Sequence, residues 1–277
     1  MKFKSLILAL AFAPAALVAA ERNDVPSCYA QAKIENFRSA PSGRLLTVVV
    51  DQTTPLTPDL QKTAWGHIKR FIQPGDKLRL YSFSAYLEGH YTRLQFAGEL
   101  EKPIDPAVLG DVPMMASRKF DACLKGQSAA LYQRFGKAFS NAMGKSSSDI
   151  PRSEILFSLK SIGDDLKSAE GVNENVILLM SDMLEYSDFG SFYSNNGIRE
   201  INPQVELAKV EKQNLLADFG GARVYVHGAA FVPTQIKNGY RSGKMIQNLE
   251  GFWNQYFAKS NATLKGFGNP ELTSAVE

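Results

Sequence analysis

The chain is poor in the residues that build transition-metal and nucleophilic centres. Its 277 residues include three histidines, two cysteines and two tryptophans. His67, His90 and His227 show no ligand spacing, and one cysteine pair is too few for a zinc site. No Gly-x-Ser-x-Gly elbow surrounds any serine. His67 falls on an apolar helix face and His227 in an apolar run, the usual places of core histidines. A hydrolase using Ser181 beside Asp182, with His227 or His67 as base, is therefore an alternative without a motif. Gly144-Lys145-Ser146 lacks the glycine that a phosphate loop needs five residues earlier, where Phe139 stands. Beyond residue 20 no apolar stretch is long enough to span a bilayer.

What the N-terminus holds is an export signal. Lys2 and Lys4 precede an apolar stretch from Leu6 to Ala20, which contains Pro14 and ends in Val18-Ala19-Ala20. The stretch is shorter than the roughly 20 residues of a membrane anchor, and its small-residue end predicts cleavage after Ala20. No cysteine stands at the cleavage point, which excludes a lipoprotein. The mature chain is expected to be periplasmic or secreted. Cleavage removes two lysines and no acid, so the formal charge of +3 falls to about +1. That leaves no electrostatic case for nucleic acid. In an exported chain Cys28 and Cys123 read as one disulfide closing a loop of about 95 residues, with two buried thiols as the alternative. Loop entropy caps the stabilisation from such a bond at about 4–5 kcal/mol.

The stretch Leu45 to Pro55, LLTVVVDQTTP, carries the most information. Six apolar or β-branched residues in a row fit a strand buried on both faces of a parallel sheet. Asp51 then stands at the carboxyl end of that strand, where open α/β sheets place their ligand sites. Its neighbours Thr53 and Thr54 add hydroxyls, a hard-oxygen set suited to Mg²⁺, Mn²⁺ or Ca²⁺. Thr57-Pro58 predicts a helix start, with Leu60, Ala64, His67, Ile68 and Phe71 on its buried face. Lys77 to Phe83 reads as a strand and Tyr91 to Phe96 as its hairpin partner at the sheet edge. Residues 98–116, with three prolines, read as a loop. Helical patterns follow over Ser117–Met143 and Ser153–Ala169. Glu174 to Asp182 is a second buried strand ending in an aspartate. A loop over 186–203, a helix over Pro203–Asp218, a strand over Ala222–Phe231, a helix near Ser242–Lys259 and an edge strand over Ala262–Phe267 complete the pattern. Strands alternating with helices imply an α/β fold with a mostly parallel sheet covered on both faces.

The order of elements and the residues at the strand ends resemble a von Willebrand factor A domain. The resemblance covers roughly residues 44–268, with 21–43 as an N-terminal extension, an insertion at about 98–150 and 269–277 as a tail. It implies a Rossmann-like sheet with a metal-ion-dependent adhesion site at its upper rim. The family motif is Asp-x-Ser/Thr-x-Ser, then a later hydroxyl, then an acid after the fourth strand. Asp51 and Thr53 match its first two positions, and Pro55 stands at the fifth without a side-chain oxygen. Ser153 matches the later hydroxyl, with Ser146 to Ser148 as alternatives, and Asp182 matches the final acid. The phrases VVVDQTTP and SDMLE are also similar to a group of bacterial exported proteins of this type without assigned function.

The resemblance implies a protein-binding module rather than an enzyme. Asp51, Thr53, Ser153 and Asp182 would hold a divalent cation whose shell is completed by a carboxylate of a partner protein. Thr54, Glu185 and the aromatic loop of Tyr186, Phe189, Phe192 and Tyr193 are the candidate partner-facing residues; packing of those aromatics onto the sheet is the other reading. A metal-free scaffold of the same fold, with the rim acids and hydroxyls bonding only loop amides, is the alternative that Pro55 favours.

Overall fold

The structure is a computed structural model that describes residues 22–85, 92–150, 152–167, 169, 171–194, 197–231 and 242–277. The expected signal segment 1–20, with its cleavage point at Ala20, lies outside the described residues, as does Tyr91 of the expected edge strand.

In chain order the elements are α1 (Cys28–Ala32), β1 (Arg44–Asp51), α2 (Pro58–Phe71), β2 (Lys77–Phe83), β3 (Arg93–Glu99), α3 (Met114–Gly144) and α4 (Ile155–Lys167). They continue with β4 (Glu174–Met180), β5 (Tyr186–Ser187), β6 (Gly190–Ser191), β7 (Tyr193–Ser194), β8 (Gly197–Ile198), α5 (Pro203–Lys212), β9 (Ala222–His227), α6 (Gly243–Lys259) and β10 (Ala262–Gly268). Six strands form one sheet in the order β10-β9-β4-β1-β2-β3. All neighbours run parallel except β3, which returns antiparallel along β2. This is the α/β, Rossmann-like arrangement that the resemblance to von Willebrand factor A domains implies.

The sheet has that form because β1 is apolar on both sides. Every residue of β1 except Arg44 is buried. Leu45 and Val49 face the side covered by α4, α5 and α6. Leu46, Val48 and Val50 face α2, α3 and the C-terminal residues Leu272 and Val276. Each such side chain contributes roughly 1.5–3 kcal/mol of burial, which a strand with one wet face cannot match. The Thr57 hydroxyl accepts the Leu60 N–H and Pro58 occupies the first turn, so α2 starts where the sequence predicts and buries the predicted face.

Several boundaries differ from the sequence expectation for local reasons. Helix α5 ends at Lys212 rather than Asp218, because Asn214 takes φ 54° and turns the chain out of the helix. Leu215, Leu216 and Ala217 then pack on the core as extended chain. Strand β9 stops at His227 instead of Phe231: Gly228 has φ 102° and gives its N–H to the Pro270 carbonyl at 2.6 Å. A side chain there would also sit 2.8 Å from Leu56. The 186–203 loop holds two small hairpins, β5–β6 and β7–β8. Helix α3 is one 31-residue element beginning three residues before the expected Ser117.

The first and last described segments pack on the same body. The Cys28–Cys123 disulfide, with a Cα–Cα distance of 5.5 Å, ties α1 to α3. Asp24 caps the free edge of β3, its N–H donating to the Ala97 carbonyl (2.7 Å) and its carboxylate accepting the Ala97 N–H (3.0 Å). At the other end, the Leu272 N–H donates to His227 Nδ1 (3.1 Å), so Nε2 carries the ring proton and donates to the Leu60 carbonyl (3.0 Å). His67 Nε2 donates to the Leu272 carbonyl at 3.0 Å. Both histidines are structural pins for the tail. Among the described residues no helix is long and apolar enough to cross a membrane.

Candidate functional site

Asp51 is the last residue of β1, held between Phe83 at the end of β2 and the loop after β4. It is fully buried. Its Oδ1 accepts the Thr53 N–H at 2.9 Å and the Thr53 hydroxyl at 2.6 Å, the local turn that aspartate favours. Its Oδ2 accepts three further hydroxyls: Ser181 at 2.7 Å, Ser153 at 3.3 Å and Thr54 at 3.5 Å. Thr53, Ser153 and Asp51 are therefore brought together as expected from the sequence. Ser153 is delivered by a single β-bridge to Tyr186, with both N–H···O distances 2.9 Å, and stands just outside α4 rather than in its first turn.

Asp182 lies two residues past β4 and is also buried. Its N–H donates to Thr54 Oγ1 at 3.3 Å, which joins the two acidic strand ends. Its Oδ1 accepts the Leu184 N–H (2.9 Å) and its Oδ2 accepts the Tyr193 hydroxyl (2.7 Å). The next residue, Met183, adopts a left-handed conformation with φ 62°. Ser181 Oγ accepts its N–H and the Trp253 indole donates to its carbonyl, each at 2.9 Å, and these contacts hold that unusual backbone in place.

Ser181 is the rim residue that the site assignment from sequence missed. It stands between β4 and Asp182 in SDML, and its hydroxyl supplies an oxygen beside Asp51 that Pro55 lacks. The signal was its position at a parallel strand end, one residue before an acid. Neither histidine ring bonds to Ser181; its Oγ is engaged with Asp51 and the Met183 amide. Of the alternative serines, Ser147 donates its N–H to the Gln52 carbonyl at 2.9 Å. Ser146 Oγ is buried in that same connector with no partner among the described residues.

The electrostatics follow from burial. Burial raises the Asp51 carboxyl above the ordinary aspartate range, against the bonds from Thr53, Ser181 and Ser153. Asp182 is pushed up to about 7, first by burial and then by the negative charge of Asp51. Tyr193 is pushed up by burial and by the Asp182 charge. Among the described residues no lysine, arginine or histidine is bonded to either carboxylate. Two buried carboxylates that share a rim without a basic partner must hold a proton or take a cation.

The donor set fits a hard cation. It consists of two carboxylates and the hydroxyls of Thr53, Ser153 and Ser181, all oxygen. Among the described residues no three His, Cys, Asp or Glu side chains converge as a metal group. Such a set of few carboxylates and neutral oxygens suits an ion that keeps waters, as Mg²⁺ does.

Of the two readings of the aromatic loop, packing onto the body holds for Phe192 and Phe189, and an exposed surface does not. Phe192 is fully buried, edge-on to Phe252 at 5.1 Å and near Trp253 at 6.5 Å, because it anchors the second hairpin in the core. Phe189 packs partly on the same cluster. Glu185 faces inward: its carboxylate accepts the Leu156 N–H (2.9 Å) and the Ser187 hydroxyl, and burial pushes it up to about 8. It serves the open N-terminus of α4 instead of a partner. Thr54 is buried between the two acids, and Tyr193 is turned onto Asp182. Tyr186 alone of the six is exposed, its ring edge-on to Tyr193 at 6.2 Å.

A scan against protein-family models and a search of curated proteins found no match. Among solved structures the chain is similar to the crystal structure of an aerotolerance-related membrane protein from Bacteroides fragilis carrying multiple mutations to serines. The two share 12% identity over 82% of this chain and 92% of that one, with a TM-score of 0.36. At that identity and score the likeness carries no functional weight, and the fold assignment rests on the sheet order.

Proposed function

We propose that the chain is an exported, non-enzymatic protein-binding module of the von Willebrand factor A-like type. Its rim residues Asp51, Thr53, Ser153 and Asp182 take a divalent cation, Mg²⁺, Mn²⁺ or Ca²⁺, and dock a partner protein. The observation that carries this reading is the pair of buried rim carboxylates, ringed by hydroxyls and with no basic partner among the described residues. The cation would neutralise the pair and present a positive centre at the carboxyl end of the sheet. Export is supported by the Cys28–Cys123 disulfide, a bond that persists in oxidising compartments.

Thermal melting tests the cation. A ligand that binds only the native state stabilises it by RT ln(1 + [L]/Kd), about 1.4 kcal/mol at tenfold excess over Kd and a few degrees in Tm. Millimolar Mn²⁺ should raise the Tm of the protein over an EDTA control, and Asp51→Ala should lose that shift. An equal shift in both proteins sinks the assignment to this rim.

One observation favours the metal-free scaffold as second reading. Both oxygens of each aspartate already accept hydrogen bonds from the chain. In that case Asp51→Ala lowers stability but leaves Mn²⁺ without effect in either protein.

A further inference from the structure

The phenol of Tyr193 reaches Asp182 from a different part of the chain than the rest of the rim. Asp182 Oδ1 accepts the Leu184 N–H of its own loop, while Oδ2 accepts the Tyr193 hydroxyl at 2.7 Å, the shortest bond to this carboxylate among the described residues. Thr54 also bears on the Asp182 carboxyl, but its hydroxyl oxygen accepts the Asp182 amide, and Ser181 donates to Asp51. The hairpin that carries Tyr193 is tied to the body at its base. Phe192 is buried against Phe252 and Trp253, and the Phe192 N–H donates to the Glu185 carbonyl at 2.8 Å. Tyr193 itself is bracketed by Ser191, whose hydroxyl accepts the Tyr193 N–H at 3.0 Å and donates to the Tyr193 carbonyl at 3.2 Å. The neighbouring hairpin bonds Ser153 through the Tyr186 backbone. The two tyrosine hairpins thus hold both ends of the rim, Ser153 through backbone and Asp182 through a side chain.

We propose that Tyr193 is the specificity-determining residue of the rim: its phenol competes with a divalent cation for the Asp182 carboxylate, so only an ion that outbids one hydrogen bond occupies the site. The inference rests on the cation reading and goes beyond it, since it assigns a residue outside the cation-holding set that sets the affinity. A hydrogen bond to a charged group is worth about tenfold or more in an equilibrium constant. Removing the hydroxyl while keeping the ring leaves Asp182 Oδ2 without its donor and raises its demand for a cation. The proton stays on the phenol throughout; only the acceptor changes.

The test titrates Mn²⁺ into the purified wild type, Tyr193→Phe and Tyr186→Phe, following free Mn²⁺ by electron paramagnetic resonance. Tyr193→Phe should bind about tenfold tighter than wild type, and Tyr186→Phe should match wild type. In parallel, Mg²⁺ should perturb the tyrosine ultraviolet difference spectrum of wild type and of Tyr186→Phe but not of Tyr193→Phe. If Tyr193→Phe fails to fold, the wild-type difference spectrum decides alone. Equal or weaker Mn²⁺ binding by Tyr193→Phe, or wild-type binding without a tyrosine signal, overturns the competition while the cation reading stands. Absence of binding by all three proteins overturns both.

Discussion

Replacement of Trp253 by alanine is expected to lower the unfolding free energy by about 3–5 kcal/mol, the range for removing a buried large aromatic. Trp253 is fully buried in α6, with Phe252, Tyr256 and Phe257 around it at ring-centroid distances of 5.0, 5.3 and 6.0 Å. The loss is not packing alone. The indole N–H donates to the Met183 carbonyl at 2.9 Å, which steadies a left-handed residue adjoining Asp182. Trp253→Phe separates the two parts, since it keeps most of the apolar contact and removes the donor. It should cost about 1–3 kcal/mol, the penalty of an unpaired buried carbonyl. Urea midpoints for the two variants give the comparison. A loss below 1 kcal/mol for Trp253→Ala would show that α6 does not hold the rim loop.

In EDTA, stability is expected to fall as pH rises from about 4 to about 8. Asp182 stands at about 7 and Glu185 at about 8, both above their ordinary values of 3.8 and 4.5. Below about pH 4 the folded and unfolded states both hold the two protons, and the contribution is fully present. As pH rises, the unfolded chain releases its protons first. Each retained proton then costs the fold about 1.4 kcal/mol per pH unit until the folded group itself ionises. The expected loss amounts to several kcal/mol, complete above about pH 8. The decline runs opposite to the usual acid sensitivity of proteins whose carboxylates are ion-paired. Glu185→Gln should flatten the upper part of the curve, because the amide does not titrate at the α4 N-terminus. Urea midpoints of wild type and Glu185→Gln between about pH 5 and pH 8.5 check this; equal slopes in the two proteins contradict the raised value of Glu185.

The sheet was legible in the sequence because its central strands leave little choice. LLTVVVD and ENVILLM are apolar on both faces, and that pattern fits only the middle of a covered parallel sheet. Asp51 ends the first and Asp182 follows the second by two residues, which puts both acids on one rim, and Thr53 and Ser153 meet Asp51 as the family pattern implies. The aromatic loop was not legible. Phe192 and Tyr193 are adjacent, yet one enters the core and the other turns to Asp182, because Phe192 sits in the bend between β6 and β7 while Tyr193 opens β7. Glu185 was read as partner-facing, but the unpaired amides at the start of α4 claim it. Neither outcome follows from local periodicity, since both depend on which distant donor or cavity meets the loop. Ser181 was read only as the nucleophile of a hydrolase and not as a rim oxygen, for a related reason: its partner, Asp51, lies 130 residues away in sequence.

The central claim is that the two rim carboxylates take a divalent cation. Crystals grown in millimolar Mn²⁺ and measured at the manganese absorption edge test it most directly. An anomalous peak bonded to oxygen atoms of Asp51, Thr53, Ser153 or Asp182 is the predicted result. No anomalous density at this rim, with the Tyr193 hydroxyl still on Asp182, would contradict it.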